Sequence, residues 1–527
     1  MGLPVLDLDY QIESQSSFAG GMRDRDHPAL LGPDQYYYMK NGVIRDAGLC
    51  KLRPGMYQRA ALAVASANAQ GATFFEPTEG NGYIIAVIDG KFYYWANSGD
   101  DLTQIGTLQI GNTTQPVEFT VGYMGTQKVL VCHVGMDSRP LYWTGDVSLD
   151  FVPFATGDTD APYATGACVQ SDRVISFGDN TLPDHIFYSD IRSIGNGGWD
   201  RTTQNIKLVT NSNEVVKAIA AYRDNSVIAQ TQNSTQLISN FNSADGSTIA
   251  RTTIDARFGT ISPRTLQIFG TEGYFLSPDR HIRSIRRSVT SLTQDIESFP
   301  ISYFNPNLMG RINQVHMGKA ASIFFENYYL LAVPMDANTV NSSIIPFDFL
   351  HQQEMPFGRA PAMVGEWDNF PVQQWIVATF AGRQRLFFLS NEDGSIWEAL
   401  IGDTDGVDYP AFELQTRGYQ HGTSDRNKSL DSGEIKYEDS FGQLTVQAAR
   451  DDRQFSTVKT VSIGSNAPGL PVDLPFNFGQ PADESEYFYG YGLGDSRTWR
   501  YKYTFAGGII NFREFIYGSF VQPRTIR

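Results

Sequence analysis

From Tyr83 to about Leu400 the chain repeats one pattern: two short apolar runs joined by a polar turn that carries glycine. The run Tyr83-Ile-Ile-Ala-Val-Ile88, the turn Asp89-Gly90-Lys91 and the run Phe92-Tyr-Tyr-Trp95 form the clearest copy. Further copies open near Lys128, Arg173, Ser226, Gly273, Tyr328 and Arg385. Their starts lie roughly 45 to 57 residues apart, near the period of four-stranded propeller blades. A lone hairpin cannot bury its apolar face, so such units stack radially and protect one another's edges. The pattern predicts an all-β chain with a β-propeller over residues 61–410. After Tyr409-Pro410 the segments lengthen, and residues 433–438, 443–447, 498–505 and 512–517 alternate apolar with charged side chains. That alternation marks half-buried antiparallel strands, which predicts a β-sandwich-like platform over residues 411–527. Residues 1–60 read as a leading arm with platform strands, bounded by the small-residue run 60–72, which suits a strand or a short helix equally.

Composition agrees. Aromatic residues make up 13% of the chain, while 49 Gly and 25 Pro punctuate short segments, a mix that favours strands and tight turns. The best helix candidate is residues 34–40, after Pro33 and before the stop Asn41-Gly42. Residues 334–355 are long for a blade loop, and residues 465–486, with four prolines, read as an irregular loop. Cys50, Cys132 and Cys168 are too few and odd in number for a disulfide framework, which points to a reduced compartment during folding. The N-terminus lacks the basic and long apolar regions of a signal peptide. The apolar runs are strand-length, so no membrane insertion is expected.

Charge narrows the function classes. Lys and Arg number 41 against 57 Asp and Glu, a formal net charge of −16. A protein that grips nucleic acid carries the opposite balance. The plain consequence of such an acidic surface is solubility; a second is that passing DNA would not stick. Candidate chemistry is sparse. Residues 390–397 approach the Asp-box of sialidase-type propellers, with Asp393 and Gly394 suited to a tight turn, but that turn is a fold element and supplies no separated carboxylate pair. Glu366 and Asp368 read as outer-face or turn carboxylates. Asp403, Asp405 and Asp408 lack the full ligand set of a calcium loop. No His or Cys grouping has zinc spacing, no glycine-rich loop precedes Lys-Ser/Thr, and the neighbours Cys132 and His133 point to opposite faces of a strand. No catalytic residue, cofactor or metal is therefore expected. The basic run Arg280 to Arg287, with Arg286 and Arg287 at its end, suits a solvated strand edge, a contact with an acidic neighbour in a ring, or a passing contact with DNA phosphates.

Pieces spread along the chain carry a resemblance. Phe18-Ala-Gly20-Gly21 leads into Pro33-Asp34-Gln-Tyr36, then Asn41-Gly-Val-Ile and Arg53-Pro54-Gly55. Residues 173–179 with Ile186-Phe-Tyr-Ser-Asp190, residues 259–263 with 273–279, Gly365-Glu-Trp-Asp368 and Thr416-Arg417-Gly-Tyr419 continue the series. In this order they resemble the tail nozzle proteins of short-tailed bacteriophages, the tail tubular protein B type. The resemblance implies a structural virion protein of the tail, assembled in the host bacterial cytoplasm as a hexameric ring beneath the adaptor ring, without enzymatic activity. It implies a DNA channel that retains and then releases the genome without binding it specifically, with tail fibres or tailspikes as further neighbours. The assembly residues that go with this reading are Phe18, Gly20, Gly21, Asp34, Tyr36, Arg53, Arg286, Arg287 and Arg417, with loops 18–38 and 465–486 as the expected contacts. Two other classes stand beside it: a glycan-cleaving, sialidase-like tail enzyme, and a tube or hub component of a long-tailed phage.

Overall fold

The computed structural model describes residues 9–45, 48–66, 68–136, 138–155, 161–195, 197–208, 214–223, 225–243, 248–287, 296–356, 358–421, 427–451, 453–463, 484–489 and 495–521. Seven antiparallel sheets follow one another: residues 69–109, 118–153, 166–207, 218–255, 267–300, 321–363, and 372–399 joined by Met56–Ala60. They are blades 1 to 7. The first strand of each lies innermost, and these inner strands neighbour one another around a closed circle, with Val372–Phe380 of blade 7 meeting Ala69–Thr78 of blade 1.

The seven sequence hairpins are the two middle strands of the seven blades. In blade 1, Asn81–Ile88 and Lys91–Trp95 pair with Ile88 opposite Lys91. The two-residue turn between them holds Asp89 and Gly90 at φ +51° and +74°, the left-handed pair that a tight hairpin of this twist requires. Middle strands read as continuous apolar runs because neighbouring blades cover both faces. Residues 84 to 88 are each fully buried. Gaps away from the sandwich hold separate small cores, such as Trp95, Ile376 and Phe387 at the seam of blades 7 and 1, and Val87, Phe92, Leu130 and Trp143 between blades 1 and 2, whereas residues of blades 5 to 7 join the sandwich in one continuous core.

The circle is closed by a strand from the other end of the chain. Met56–Ala60 pairs antiparallel with Ile396–Ala399 as the outer strand of blade 7, which corrects the placement of all of residues 1–60 outside the circle. Only Met56 and Ala60 of this strand are buried, so its pattern is too short and polar to read as part of a blade.

The remaining strands form a two-sheet sandwich. Gly21–Met22, Gln35–Lys40, Phe412–Thr416, Trp499–Ile509, Phe441–Arg450 and Ser456–Ile463 make one sheet, in that order. The other runs Glu484–Tyr489, Lys428–Tyr437, Asn511–Val521, Leu49–Leu52, Gly42–Arg45, with Asp9–Gln15 and Asp495–Ser496 added. Both ends of the chain contribute: Asp9 lies opposite Val521, and Tyr36 opposite Thr416. Tyrosines fill the space between the sheets. The Tyr501 and Tyr517 rings stack at 4.0 Å, and the buried Tyr503 and Tyr517 hydroxyls lie 2.6 Å apart. The chain is all-β, a propeller with a sandwich platform built from its termini.

Three local expectations change. Residues 34–40 are not a helix: Gln35–Lys40 is a strand, because its aromatic run favours a pleated surface and buries Tyr36 and Met39. The helical turn of this N-terminal region is Pro28–Leu30, where His27 Nδ1 accepts from the Ala29 amide at 3.2 Å. Residues 334–355 are loop only to 342, since Ser343–Met355 is a 13-residue strand of blade 6. Of the run 60–72, Ala60 ends the closing strand and its last four residues open the strand Ala69–Thr78. Of the expected loop 465–486, residues 465–483 lie outside the described residues, and its last three open the strand Glu484–Tyr489.

Candidate functional site

Two polar constellations stand out, one at the propeller hub and one where the propeller meets the sandwich. At the hub, the turn Pro263–Thr265 ahead of blade 5 aims Arg264 across the axis. Its Nε donates to Glu118 Oε1 of blade 2 at 2.6 Å, and Nη1 to the Gln373 carbonyl of blade 7 at 3.0 Å. Nη2 donates to the carbonyls of Gln70 of blade 1 at 2.8 Å and of Val117 at 3.0 Å. Gln374 Oε1 accepts from the Ala72 amide at 2.9 Å, so blades 7 and 1 are tied beside the same point. One guanidinium thus links four blades and fills the axis at this level. A duplex, whose major groove alone is about 12 Å wide, does not pass through a hub bridged by such contacts.

The joint is built from distant parts of the sequence. Arg53 forms a bidentate pair with Asp405, at 2.9 and 2.6 Å, with both side chains almost fully buried. Its Nε donates to Asn41 Oδ1 at 3.0 Å, its Nη2 donates to the Asp368 carbonyl, and the guanidinium sits 4.5 Å from the Phe370 ring centre. Asn41 donates in turn to Asp368 Oδ1 at 2.5 Å, and Lys40 pairs with Asp368 Oδ2 at 2.6 Å. Trp367 Nε1 donates to the Gly42 carbonyl and Tyr36 Oη to the Val364 carbonyl. Arg311 holds Glu366 at 2.6 Å and Asp336 at 2.8 Å, while Tyr38 Oη donates to Glu366 at 3.0 Å. The Asp336 carboxylate keeps Arg311 above its ordinary range, and burial beside Glu366 pushes the Tyr38 phenol up. Asp24 clips the other side, accepting from the Asn307 and Leu308 amides at 3.0 and 2.7 Å; burial still holds its carboxyl above the usual range. A cleft of about 370 Å³ opens beside Arg311, lined by Lys40, Asp336, Glu366, Asp368 and Glu392.

This geometry revises several sequence readings. Glu366 is buried and ion-paired, not an outer-face carboxylate. Asp405 is occupied by Arg53, and no group of three His, Cys, Asp or Glu suited to a metal occurs among the described residues. The Asp-box-like turn is present: Asp393 Oδ1 accepts from the Ser395 amide at 3.1 Å, Gly394 has φ +73°, and Trp397 stacks on Phe388 of its own blade. No helix among the described residues is long and apolar enough to cross a membrane.

The residues assigned to assembly fall into distinct places. Phe18 and Tyr36 are fully buried, edge to face at 5.9 Å, and Arg53 is sealed in the joint. All three are enclosed within the chain's own fold, where they build its frame. Gly20 and Gly21 are close-approach positions: a Cβ at Gly20 would meet the Asp34 carboxyl at 2.7 Å, and one at Gly21 would meet Ala362 of blade 6 at 2.9 Å. Arg286 donates to the Arg359 carbonyl at 2.9 Å and lies 4.7 Å from the Phe299 ring centre. The Arg287 backbone pairs with Ile296, and its side chain is outside the described residues. Arg417 pairs with Glu13 at 3.4 Å across the sandwich. Arg264, Glu118, Arg311 and Asp405 carry the two constellations; sequence reading passed over the first three and weighed Asp405 only within a calcium-like loop. Their partners lie dozens to hundreds of residues away, and the one local signal was the Pro263-Arg264 turn.

No protein-family model and no curated protein matches this chain. Among solved structures it is similar to YCF48 from Cyanidioschyzon merolae, at 9% identity and a TM-score of 0.39, covering 65% of this chain and 98% of that one. It is also similar to an ancestral GH74 enzyme, at 10% identity and a TM-score of 0.42, over 70% of this chain and 51% of that one. A WD40 domain from Toxoplasma gondii coronin matches at 10% identity and a TM-score of 0.37, over 68% and 87%.

Proposed function

We propose that this chain is the subunit of a tail nozzle ring of a short-tailed phage, a structural protein that extends the DNA channel below the adaptor and helps to retain and release the genome. The observation that supports it most is convergence. Pieces of the resemblance scattered from Phe18 to Asp368 meet at one joint: Gly21 against blade 6, Asn41 on Asp368, Arg53 on Asp405, and Trp367 on the Gly42 carbonyl. Such a signature fixes a sandwich rigidly to a propeller, as a subunit that must bear load across two bodies requires. Because Arg264 fills the hub, the conduit in this reading runs between subunits rather than through any propeller. A net charge of −16 then gives the ring a wall that repels DNA phosphates.

The test is to mix the purified chain with assembled adaptor rings and image the product by electron microscopy. Rings seated on the adaptor are expected. Persistent monomers at high concentration beside intact adaptor would overturn the proposal, and sugar release from host capsule or lipopolysaccharide would move the chain to the glycan-cleaving class.

A further inference from the structure

Between blades 2 and 3 lies a small cavity of about 10 Å³, lined by Val131, Phe154, Val174, Ile194 and Trp199, with His133 and Ser176 as its polar lining. His133 is on the second strand of blade 2 and Ser176 on the second strand of blade 3. Both are more than nine-tenths buried, and neither imidazole nitrogen nor the Ser176 hydroxyl has a partner in the protein. Elsewhere the buried side chains of this seam are served: Thr120 Oγ1 donates to the Ala167 carbonyl at 3.0 Å, and Trp199 Nε1 donates to the Ile194 carbonyl at 3.2 Å. An unserved buried polar group costs about 1–3 kcal/mol, and here two occur on facing blades around one space. The volume matches the room that a single water needs.

We propose that this cavity is an internal hydration site for one water molecule, held by His133 and Ser176 and bridging blades 2 and 3. The chemistry of the two groups fits such a ligand. Burial keeps the imidazole neutral, its pKa pushed down to about 4, so one ring nitrogen donates and the other accepts. The hydroxyl can do either. A water supplies the complementary pair, whereas the apolar walls offer nothing to an ion. The cavity is also too small for a xenon-sized apolar guest, which separates a hydrated site from a dry void.

The experiment is a high-resolution crystal structure of the full chain and of the Ser176→Ala variant. One ordered water within hydrogen-bonding distance, about 2.7–3.2 Å, of both a His133 nitrogen and Ser176 Oγ is expected in the parent. The variant should show that water lost or at clearly reduced occupancy. A dry cavity in the parent overturns the proposal, as does a fully occupied, unmoved water in Ser176→Ala. In solution, His133→Leu and Ser176→Ala should combine non-additively in urea midpoint, because either change removes the shared ligand; strict additivity overturns the bridge. Should His133→Leu fail to fold, the Ser176→Ala structure still decides.

Discussion

The propeller and the sandwich solve the problem of burying strands in opposite ways. Six of the seven blades are made from consecutive residues, and the seams away from the sandwich are filled by small clusters, mostly aliphatic with a few large rings. The sandwich draws strands from both ends of the chain, pairing Asp9 with Val521, around a core crowded with Tyr419, Tyr501, Tyr503 and Tyr517. The first design adds units; the second is a single closure that exists only when the chain is complete. The joint at Arg53 makes the two bodies depend on each other, and it is the place to break them apart.

Arg53→Ala is expected to have the largest effect. It leaves Asp405 buried without its cation, which costs about 3–5 kcal/mol when one partner of a buried pair is removed. Urea unfolding followed by hydrogen exchange should show sandwich and propeller losing protection at separate midpoints, where the parent loses both together; one unchanged cooperative transition would refute the coupling.

Acid should strike both bodies through one buried histidine each. Burial pushes His133 in blade 2 and His421 in the sandwich down to about 4. Unfolded, each imidazole takes up its proton near pH 6.5, so the unfolded state binds more protons between the two values. Stability from this source is complete above about pH 6.5 and declines as pH falls toward 4, by on the order of 3 kcal/mol for each residue. Denaturant midpoints measured from pH 7 to 4 should fall, and His133→Leu should flatten the decline for propeller peptides while leaving it in sandwich peptides.

Tyr503→Phe should be the mildest and the most local. It strips the Tyr517 hydroxyl of a 2.6 Å partner in a sealed core, a loss of about 1–2 kcal/mol. Exchange protection should drop in Trp499–Ile509 and Asn511–Val521 with blades 1 to 4 unaffected; an equal drop in those blades would show that coupling reaches beyond the core the sandwich shares with blades 5 to 7.

The same contrast explains what could be read from the sequence. The two middle strands of a blade are buried on both faces, so Tyr83–Trp95 and its six counterparts announce themselves as apolar hairpins. The outer strand Thr103–Gln109 is mostly exposed and the closing strand Met56–Ala60 is half polar, so hydrophobic patterning passes over them. Gln35–Lys40 reads as a helix because Pro33 and Asn41-Gly42 are good helix punctuation, while its pairing with Phe412–Thr416, some 370 residues away, leaves no local trace. The constellations follow the same rule. Asp393 and Gly394 were legible because their turn is local. Arg264 and Arg311 were not, because a charged residue on a loop looks the same in sequence whether it points to solvent or spans a hub.

Closing the circle with Met56–Ala60 has a consequence for biosynthesis. This strand leaves the ribosome first, yet its partner Ile396–Ala399 follows roughly 340 residues later, a wait of about 20–70 s at typical elongation rates. Throughout that interval its unpaired edge is open to every other nascent chain on the same message. Its exposed side chains are Tyr57 and Gln58, while Arg59 folds onto Glu398 at 2.6 Å once the partner strand arrives; until then Gln58 and the charged Arg59 are the kind of residues that keep a waiting edge from finding the wrong partner.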